Sequence, residues 1–416
     1  MIYSGSGAIG CLEALVNNGY PGKISLISSP DQTYPIDRTK LSKALITEEN
    51  PILLRNKEWY TNCKIDVHFD TVKTVDFQGK TVFTEGGKEY QYSQVVVATG
   101  GKPKALPLPG FSPENAFLLR AIRDAKRIVD AVGDGNKKIV VIGTSFIGME
   151  VGNALSKNND VTMVGMSAAP MDQIMGEKVG KIFQSLLEKS GAKFQMNAAV
   201  ERLSTSEEHP GKKFVHIKDR KEPLEADIVV IGVGVSPATE LIPKDAVRLL
   251  DDGSLKVDHH FQIDGLSNAY AIGDIATYPY WGPGSGMKGG KTDTRIEHWD
   301  VAQNAGKAAG DHIVHQLKHP GTKLPPKEFV PIFWSALGQQ LRYCGNTING
   351  YDDVILQGNP DEAKFVAYYT LEDTVVAVAS MGSDPVVMKC VNLMKARKMP
   401  SKKQIQDGVN VLELKV

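Results

Sequence analysis

Two glycine-rich turns constrain this sequence more than any other feature. The first is Gly5-Ser6-Gly7-Ala8-Ile9-Gly10 and the second is Gly143-Thr144-Ser145-Phe146-Ile147-Gly148. The second follows the apolar run 138–142 and leads into a helical pattern, the context in which glycines let a backbone approach a pyrophosphate at a helix N-terminus. One such turn is weak evidence, because glycine-rich turns are common. Two of them predict two dinucleotides and electron transfer between them, as in a flavoprotein reduced by a nicotinamide coenzyme.

Length and composition exclude several classes of protein. A chain of 416 residues is too long for a single core and favours two to four domains. The 48 basic and 48 acidic residues cancel, so no overall charge attracts nucleic acid or an anionic membrane. No apolar run approaches the roughly 20 residues that span a bilayer. We therefore expect neither a nucleic-acid partner nor a membrane span.

The N-terminus carries no recognisable targeting signal. Residues 1–4 contain no basic or arginine-rich segment, which favours a cytoplasmic location by default. A strand is expected before Gly5, but only four residues are left for it. The N-terminus therefore looks truncated, and a mitochondrial location, a lost leader and a further domain stay open.

The four cysteines argue against a metal site and against a redox disulfide. Cys11, Cys63, Cys344 and Cys390 lie far apart, and none forms a Cys-x-x-Cys pair. We expect them to be buried or partly buried free thiols, and we expect no metal. One large group of two-nucleotide flavoproteins passes electrons through a cysteine pair. Here the flavin has to pass its electrons directly to an acceptor.

Strand and helix patterns along the chain predict an α/β fold. Two Rossmann-like dinucleotide-binding domains, for FAD and NAD, are followed by a small C-terminal α+β domain. The apolar runs 92–100 and 226–232 each end at a glycine, as buried parallel strands do. A proline-rich linker over 318–327 separates the last domain. The predicted domains are an FAD-binding domain in two parts (1–110 and 256–324), an NAD(P)H-binding domain (111–255) and a C-terminal interface domain (325–416).

One further run is more specific than either glycine motif. It is Tyr34-Pro35-Ile36-Asp37-Arg38-Thr39-Lys40-Leu41-Ser42-Lys43. Other segments accompany it in order: Ala98-Thr99-Gly100-Gly101, Gly148-Met149-Glu150, Gly232-Val233-Gly234-Val235-Ser236-Pro237, Ala271-Ile272-Gly273-Asp274, Arg295-Ile296-Glu297-His298-Trp299 and Phe333-Trp334-Ser335. Together they resemble the FAD-dependent pyridine nucleotide-disulfide oxidoreductases, in the branch with apoptosis-inducing factor, ferredoxin reductases and monodehydroascorbate reductases. The resemblance covers essentially the whole chain, which contains no Rieske cysteine–histidine pairs.

The resemblance implies catalytic roles. Lys43 and Glu150 would form the pair beside the flavin ring, where a cation helps to stabilise reduced, electron-rich flavin. Glu150 would also position the nicotinamide amide. Glu297 and His298 would lie near the two rings, and Trp334 would form an aromatic wall.

It also implies a set of cofactor contacts. The first glycine turn would receive the FAD pyrophosphate, Arg38 would add charge near that phosphate or the adenosine, and Asp274 would bind the flavin ribityl hydroxyls. The full predicted set is Gly5, Gly7, Ala8, Gly10, Arg38, Lys43, Ala98, Thr99, Gly100, Gly143, Gly148, Gly232, Gly234, Gly273, Asp274 and Trp334.

Structural explanations compete with these roles. Arg38 and Lys43 would otherwise be solvated surface cations, an explanation that the surrounding motif disfavours. Glu150, interpreted as part of a first helical turn, would merely complement the helix dipole. His298 would be a packed or surface histidine, Trp334 an ordinary core residue, and Asp274 a plain acid at a strand end.

The choice of coenzyme is weakly determined. The acid expected about 20 residues after each glycine turn, for the adenosine ribose, is missing twice. Asp31 is a substitute at the first site, whereas the second offers only Gly165-Met166-Ser167. Ser145 also replaces the middle glycine of the second turn. The segment 166–172, which follows the strand after the second glycine turn, contains no arginine or lysine to bind a 2′-phosphate. This favours NADH, with NADPH possible.

The leading hypothesis is an FAD-dependent NAD(P)H oxidoreductase. It passes hydride from nicotinamide to flavin, and electrons on to an unidentified acceptor: a ferredoxin or Rieske-type protein, a quinone or a small radical. The alternative is a redox switch like apoptosis-inducing factor, with slow turnover and partner binding. The protein is expected to be a monomer or homodimer.

Overall fold

The computed structural model of this chain describes residues 5–30 and 34–416. The helices in these residues are α1 (Ser6–Asn17), α2 (Thr39–Ala44), α3 (Lys57–Asn62), α4 (Ile122–Val132), α5 (Phe146–Leu155), α6 (Asp172–Lys189), α7 (Trp299–Lys318), α8 (Val386–Lys395) and α9 (Lys402–Gln406). The first strands are β1 (Ile24–Ser28), β2 (Ile65–Phe69), β3 (Val72–Asp76), β4 (Thr81–Thr84), β5 (Glu89–Gln91), β6 (Val95–Val97), β7 (Gly101–Pro103), β8 (Lys138–Ile142), β9 (Asp160–Val164), β10 (Lys193–Gln195), β11 (Val200–Thr205) and β12 (Lys213–Ile217). The remaining strands are β13 (Leu224–Ala226), β14 (Ile228–Ile231), β15 (Val235–Pro237), β16 (Leu255–Lys256), β17 (Ala269–Ala271), β18 (Ala276–Pro279), β19 (Asp293–Thr294), β20 (Ile332–Leu337), β21 (Gln339–Gly345), β22 (Asp353–Asn359), β23 (Lys364–Leu371) and β24 (Thr374–Met381).

The chain divides into two compact units. Unit 1 comprises Met1–Arg38, Glu48–Lys102 and Ser236–Phe333, and unit 2 comprises Thr39–Thr47, Pro103–Val235 and Trp334–Val416. The functional domain boundaries predicted from the sequence stay predictions.

Unit 1 contains parallel strand pairs and two long helices. β1 pairs with β2, and β6 pairs with β17, with Val96 opposite Tyr270. Because β6 is buried along its whole length, its apolar run lacks the alternation of a half-exposed strand. β3 pairs with β4 and β4 with β5, and both pairs are antiparallel. The strand expected before Gly5 lies outside the described residues.

A close helix–helix contact lies next to this core. An ideal Cβ at Gly10 of α1 would lie 2.4 Å from the main-chain oxygen of Gln303 in α7. No side chain fits at that distance, so Gly10 lets the two helices approach each other backbone to backbone.

Unit 2 combines a parallel sheet with antiparallel sheets. The parallel sheet has the strand order β10-β9-β8-β14, with Val140 opposite Val229. β11, β12 and β13 form a three-stranded antiparallel sheet. The C-terminal sheet has the order β20-β21-β24-β23-β22, and α8 packs on β21 and β24. The predicted fold class is therefore confirmed, although the sequence patterns had not indicated β20 and β21. No helix within the described ranges has the length and apolar character needed to cross a bilayer.

Candidate functional site

The N-terminus of α1 carries the first glycine turn. Gly5 is its N-cap residue, in an extended conformation, and Gly7, Ala8 and Gly10 lie in the first turns of the helix. Within the described residues, no heavy atom lies within 4 Å of an ideal Cβ at Gly5, whereas one at Gly7 would lie 3.1 Å from the main-chain oxygen of Ala302. Gly7 and Gly10 thus permit helix packing, and the open side of the turn is at Gly5. A free helix N-terminus of this kind suits a phosphate.

A second part of unit 1 lies where the parallel strands β6 and β17 end. Ala98, Thr99 and Gly100 follow β6, and Gly100 has a positive φ of 67°. Asp274 follows β17 in a short 3₁₀ turn, and its carboxylate accepts a 2.9 Å hydrogen bond from the Gly101 main-chain nitrogen. The structure therefore brings the Ala98–Gly101 loop and Asp274 together at the carboxyl ends of parallel strands, where ligands bind in open α/β sheets.

Arg295 organises the chain around Asp274. Its guanidinium donates to the Asp274 main-chain oxygen at 3.0 Å, to the Asp252 carboxylate at 2.7 Å and to the Glu297 carboxylate at 2.5 Å. Burial opposes ionisation of Asp252, but hydrogen bonds from Ser254 and Arg295 outweigh it and hold the pKa of that carboxyl below its ordinary value. Arg295 therefore fixes Glu297 relative to the Asp274 turn.

The remaining predicted residues of unit 1 are placed less specifically. His298 is the N-cap residue of α7, and its ring lies 5.1 Å from the ring of Phe333. Arg38 is half-buried just before α2. Asp31, the possible ribose acid, lies outside the described residues.

The second glycine turn lies between β8 and α5 in unit 2. An ideal Cβ at Gly148 would lie 2.0 Å from the Gly143 main-chain oxygen, and one at Gly143 would lie 2.4 Å from that of Gly232. These three glycines close the turn against the end of β14. Ser145 is the N-cap residue of α5, and its hydroxyl donates to the Gly232 oxygen at 3.3 Å. Gly234 follows with a positive φ of 96°.

One turn further along α5, Glu150 receives three donors. The Ser335 hydroxyl donates to Oε1 at 2.6 Å, the Ser42 hydroxyl donates to Oε2, and Nζ of Lys43 lies 3.0 Å from Oε1. The Glu150 residue is 4% exposed, and the Lys43 side chain is 18% exposed. A buried carboxylate requires such partners, because an unpaired one would be very costly.

Three structural alternatives fail in unit 2. α5 begins at Phe146 and has no acidic residue in its first turn, so the explanation of Glu150 as a first-turn dipole acid is wrong. Lys43 is not a solvated surface cation, because it pairs with that buried carboxylate. Trp334, at 37% exposed, is not a core residue.

The loop after β9 has little room for side chains at its start. An ideal Cβ at Gly165 would lie 2.5 Å from Oγ1 of Thr144. Met166 is 79% exposed, and α6 begins at Asp172. The three residues after β9, Gly165, Met166 and Ser167, therefore offer no carboxylate for an adenosine ribose.

Sequence reasoning missed three residues: Ser42, Ser335 and Arg295. Each lies inside a quoted motif, but most of its partners are distant in sequence, so no local pattern signals those contacts. In the part of the chain that the structure describes, no group of three or more His, Cys, Asp or Glu side chains could hold a metal ion.

These observations fit the two nucleotides that the sequence predicts. In unit 1, the open helix N-terminus, the strand-end loop and the Asp274 carboxylate suit the phosphates and ribityl hydroxyls of FAD. In unit 2, the second turn leads to a buried carboxylate–ammonium pair. The individual cofactor contacts stay predictions.

Two family models match the chain. Residues 2–306 match the pyridine nucleotide-disulphide oxidoreductase model, and residues 332–414 match the reductase C-terminal model. Among curated proteins, apoptosis-inducing factor 3 of Homo sapiens is 34% identical over 97% of this chain and 64% of its own length. Monodehydroascorbate reductase 2 of Arabidopsis thaliana is 29% identical over 93% of this chain and 90% of its own length. The chain thus spans about two thirds of the length of the first of these relatives.

Solved structures share the fold. The covalent putidaredoxin reductase–putidaredoxin complex matches with a TM-score of 0.85 and 24% identity, over 99% of this chain and 96% of the matched one. A ferredoxin reductase from Rhodopseudomonas palustris matches with a TM-score of 0.85 and 23% identity, over 97% of this chain and 96% of its own.

Proposed function

Because the chain belongs to the pyridine nucleotide-disulphide oxidoreductase family, we propose that it is an FAD-dependent enzyme that takes electrons from NADH and delivers them to a small iron–sulfur protein. Unit 1 binds FAD and unit 2 binds the coenzyme. Bound FAD supplies the redox chemistry, because it accepts a hydride and can release electrons to a one-electron acceptor. The protein supplies binding, orientation and electrostatics.

The observation that carries this proposal is the buried pair of Lys43 and Glu150. Nζ of Lys43 lies 3.0 Å from a carboxylate that is nearly inaccessible to solvent. Burying an ion pair stabilises a fold little and often costs stability, so a pair next to a nucleotide-binding turn is a candidate for function. The family resemblance implies that the Lys43 charge favours reduced flavin and that Glu150 positions Lys43 and the nicotinamide amide.

The cysteines support direct electron transfer to the acceptor. All four are free thiols, and Cys11, Cys344 and Cys390 are buried. Burial raises the pKa of the Cys11 thiol to about 12. The thiol therefore seldom ionises to the reactive thiolate, which makes Cys11 unsuitable as a redox relay. Electrons therefore pass from FAD to a separate acceptor.

The solved putidaredoxin reductase–putidaredoxin complex makes a ferredoxin-type protein our first choice of acceptor. The relative named monodehydroascorbate reductase makes a small organic radical the second choice, and a quinone remains the third.

A second candidate is a redox switch. The 34% identity to apoptosis-inducing factor 3 favours it. In such a protein, reduction by NADH is followed by a long-lived reduced complex and partner binding, rather than by rapid turnover. Binding to nucleic acid has no support in the net charge of zero. The cytoplasmic or mitochondrial location and the monomeric or dimeric state stay predictions.

Steady-state turnover with a panel of acceptors tests the proposal. The purified protein, supplied with NADH, is offered a [2Fe–2S] ferredoxin with cytochrome c as reporter, monodehydroascorbate radical, a soluble quinone and ferricyanide. We expect multiple turnover with ferricyanide and the highest kcat/KM, among the biological acceptors, with the ferredoxin. Faster reaction with the radical or the quinone would overturn the choice of acceptor. Reduction without multiple turnover by any acceptor would favour the switch.

A further inference from the structure

Glu150 is held by residues from two other segments of unit 2. Ser42 and Lys43 belong to α2, Glu150 to α5 and Ser335 to β20. Ser42 is 7% exposed and Ser335 2% exposed. The Ser42 hydroxyl donates to Oε2 of Glu150, and the Ser335 hydroxyl donates to Oε1 at 2.6 Å. Both carboxylate oxygens are therefore fixed.

The direction of these hydrogen bonds follows from the chemistry of the groups. A serine hydroxyl has one hydrogen to donate, and a carboxylate accepts. The Thr39 main-chain oxygen lies 3.4 Å from the Ser42 hydroxyl, farther away than the carboxylate, which is the better acceptor because hydrogen bonds to charged groups are the stronger ones. Lys43 lies 3.0 Å from Oε1, the same oxygen that Ser335 contacts. Rotation of the carboxylate would therefore break contacts with all three partners.

We propose that Ser42 and Ser335 are positioning residues that hold the Glu150 carboxylate in the single orientation in which it directs the Lys43 ammonium. This inference rests on the proposed function, in which Lys43 and Glu150 act on the nicotinamide reaction. The two serines act through Glu150, and their hydroxyl groups, rather than their volume, matter. The C-terminal sheet thereby contributes a residue to the candidate coenzyme site of unit 2.

Strand geometry gives Ser335 this role. Successive side chains of a strand point to opposite faces, and in β20 the exposed Trp334 precedes the buried Ser335. The face that carries Ser335 is turned towards Glu150. Ser335→Ala removes the hydroxyl group and therefore tests the hydrogen bond. Ser335→Thr keeps the hydroxyl group and changes the volume of the side chain.

A double-mutant cycle tests the proposal on the FAD-loaded protein. Ser335→Ala, Ser335→Thr and Glu150→Ala are made singly, and Ser335→Ala is combined with Glu150→Ala. Ser42 is treated in the same way. The readouts are the rate constant of flavin reduction by NADH in anaerobic stopped flow, the dissociation constant of NAD⁺ and the melting temperature. The control is Ser380→Ala, because Ser380 is 1% exposed in the same sheet and its hydroxyl has no hydrogen-bond partner among the described residues.

Each serine-to-alanine variant should slow reduction about tenfold, as expected for a lost hydrogen bond to a charged group. The threonine variant should retain most of the wild-type rate, because it keeps the hydroxyl, and Ser380→Ala should match the wild type. In the Glu150→Ala background, which has no side-chain acceptor for the Ser335 hydroxyl, Ser335→Ala should change the rate by less than about twofold. The same non-additivity should appear in the melting temperature.

Equal effects of Ser335→Ala in both backgrounds, or no effect in the wild-type background, would overturn the inference. Failure of the proposed function gives a different result, namely no flavin reduction in the wild type by either NADH or NADPH. In that case the melting-temperature cycle still decides the inference: additive effects reject the coupling between Ser335 and Glu150, and non-additive effects uphold it.

Discussion

Nζ of Lys43 lies 3.0 Å from Oε1 of Glu150, and the two side chains are 18% and 5% exposed. α2 packs on α5, so helix packing sets this distance. Glu150 follows the second glycine turn by two residues, which ties the charged pair to the turn that the sequence assigns to the coenzyme.

Lys43→Met should slow flavin reduction by NADH at least about tenfold. It should weaken NAD⁺ binding less than about threefold, because a charge that acts on the reduced state changes the reaction rate more than the affinity for the coenzyme. Stopped-flow bleaching and equilibrium titration measure the two quantities. Lys40→Met, at an exposed position of the same helix, is the control. An unchanged reduction rate in Lys43→Met would remove Lys43 from the mechanism.

Asp274→Ala should lower FAD occupancy. The purified wild type should be yellow with non-covalent FAD, and the variant loses a charged acceptor for the ribityl hydroxyls, at a cost of about 1.5–3 kcal/mol. It also loses the hydrogen bond from Gly101. The ratio of flavin to protein absorbance measures occupancy. Asp264→Ala, at an exposed position of the same unit, should keep full occupancy, and full occupancy in Asp274→Ala would reject the assignment.

The coenzyme preference should be for NADH by about tenfold in kcat/KM, or about 1.4 kcal/mol. The segment 166–172 contains no arginine or lysine to bind a 2′-phosphate. The preference stays modest because the usual ribose acid, which discriminates against NADPH, is also missing. Initial rates with both coenzymes and one artificial acceptor decide this. A clear preference for NADPH would show that the loop does not select the coenzyme.

His312 should make the protein less stable in mild acid. Burial, followed by the stacked ring of His260, lowers the pKa of His312 to about 4. The unfolded chain binds this proton below about pH 6.5, whereas the folded protein binds it only near pH 4. The stability that the neutral ring contributes is therefore complete above pH 6.5 and is lost as the pH falls from there towards 4.

Melting temperatures of wild type and His312→Gln measure this effect. The wild type minus variant difference should be smaller by roughly 2–6 °C at about pH 5 than at about pH 7.5. His209→Gln, at an exposed position, should show no such change. A pH-independent difference for His312→Gln would contradict the prediction.

Much of the fold could be predicted because its signals are local. The runs that became β6, β8 and β14 are continuous and apolar, as strands buried on both faces are. The two glycine turns mark strand–helix junctions that permit only glycine at their closest contacts. β21 was not predicted, because polar residues such as Gln339 and Arg342 interrupt its apolar pattern. β20 was not predicted either, although its residues alternate between buried and more exposed positions.

The candidate site was predicted only in part. Lys43, Glu150 and Asp274 came from the resemblance, and the structure places each in a specific polar contact. Ser42 and Ser335 could not be predicted to contact Glu150, because they lie 108 and 185 positions from it. Such contacts depend on how α2, α5 and β20 pack, which no local pattern specifies.

Anaerobic mixing of the purified protein with NADH tests the central claim most directly. We expect the flavin absorption band to bleach in a single exponential phase whose rate saturates with NADH concentration, and to recover when an electron acceptor is added. A protein that retains FAD but is bleached by neither NADH nor NADPH would contradict the account.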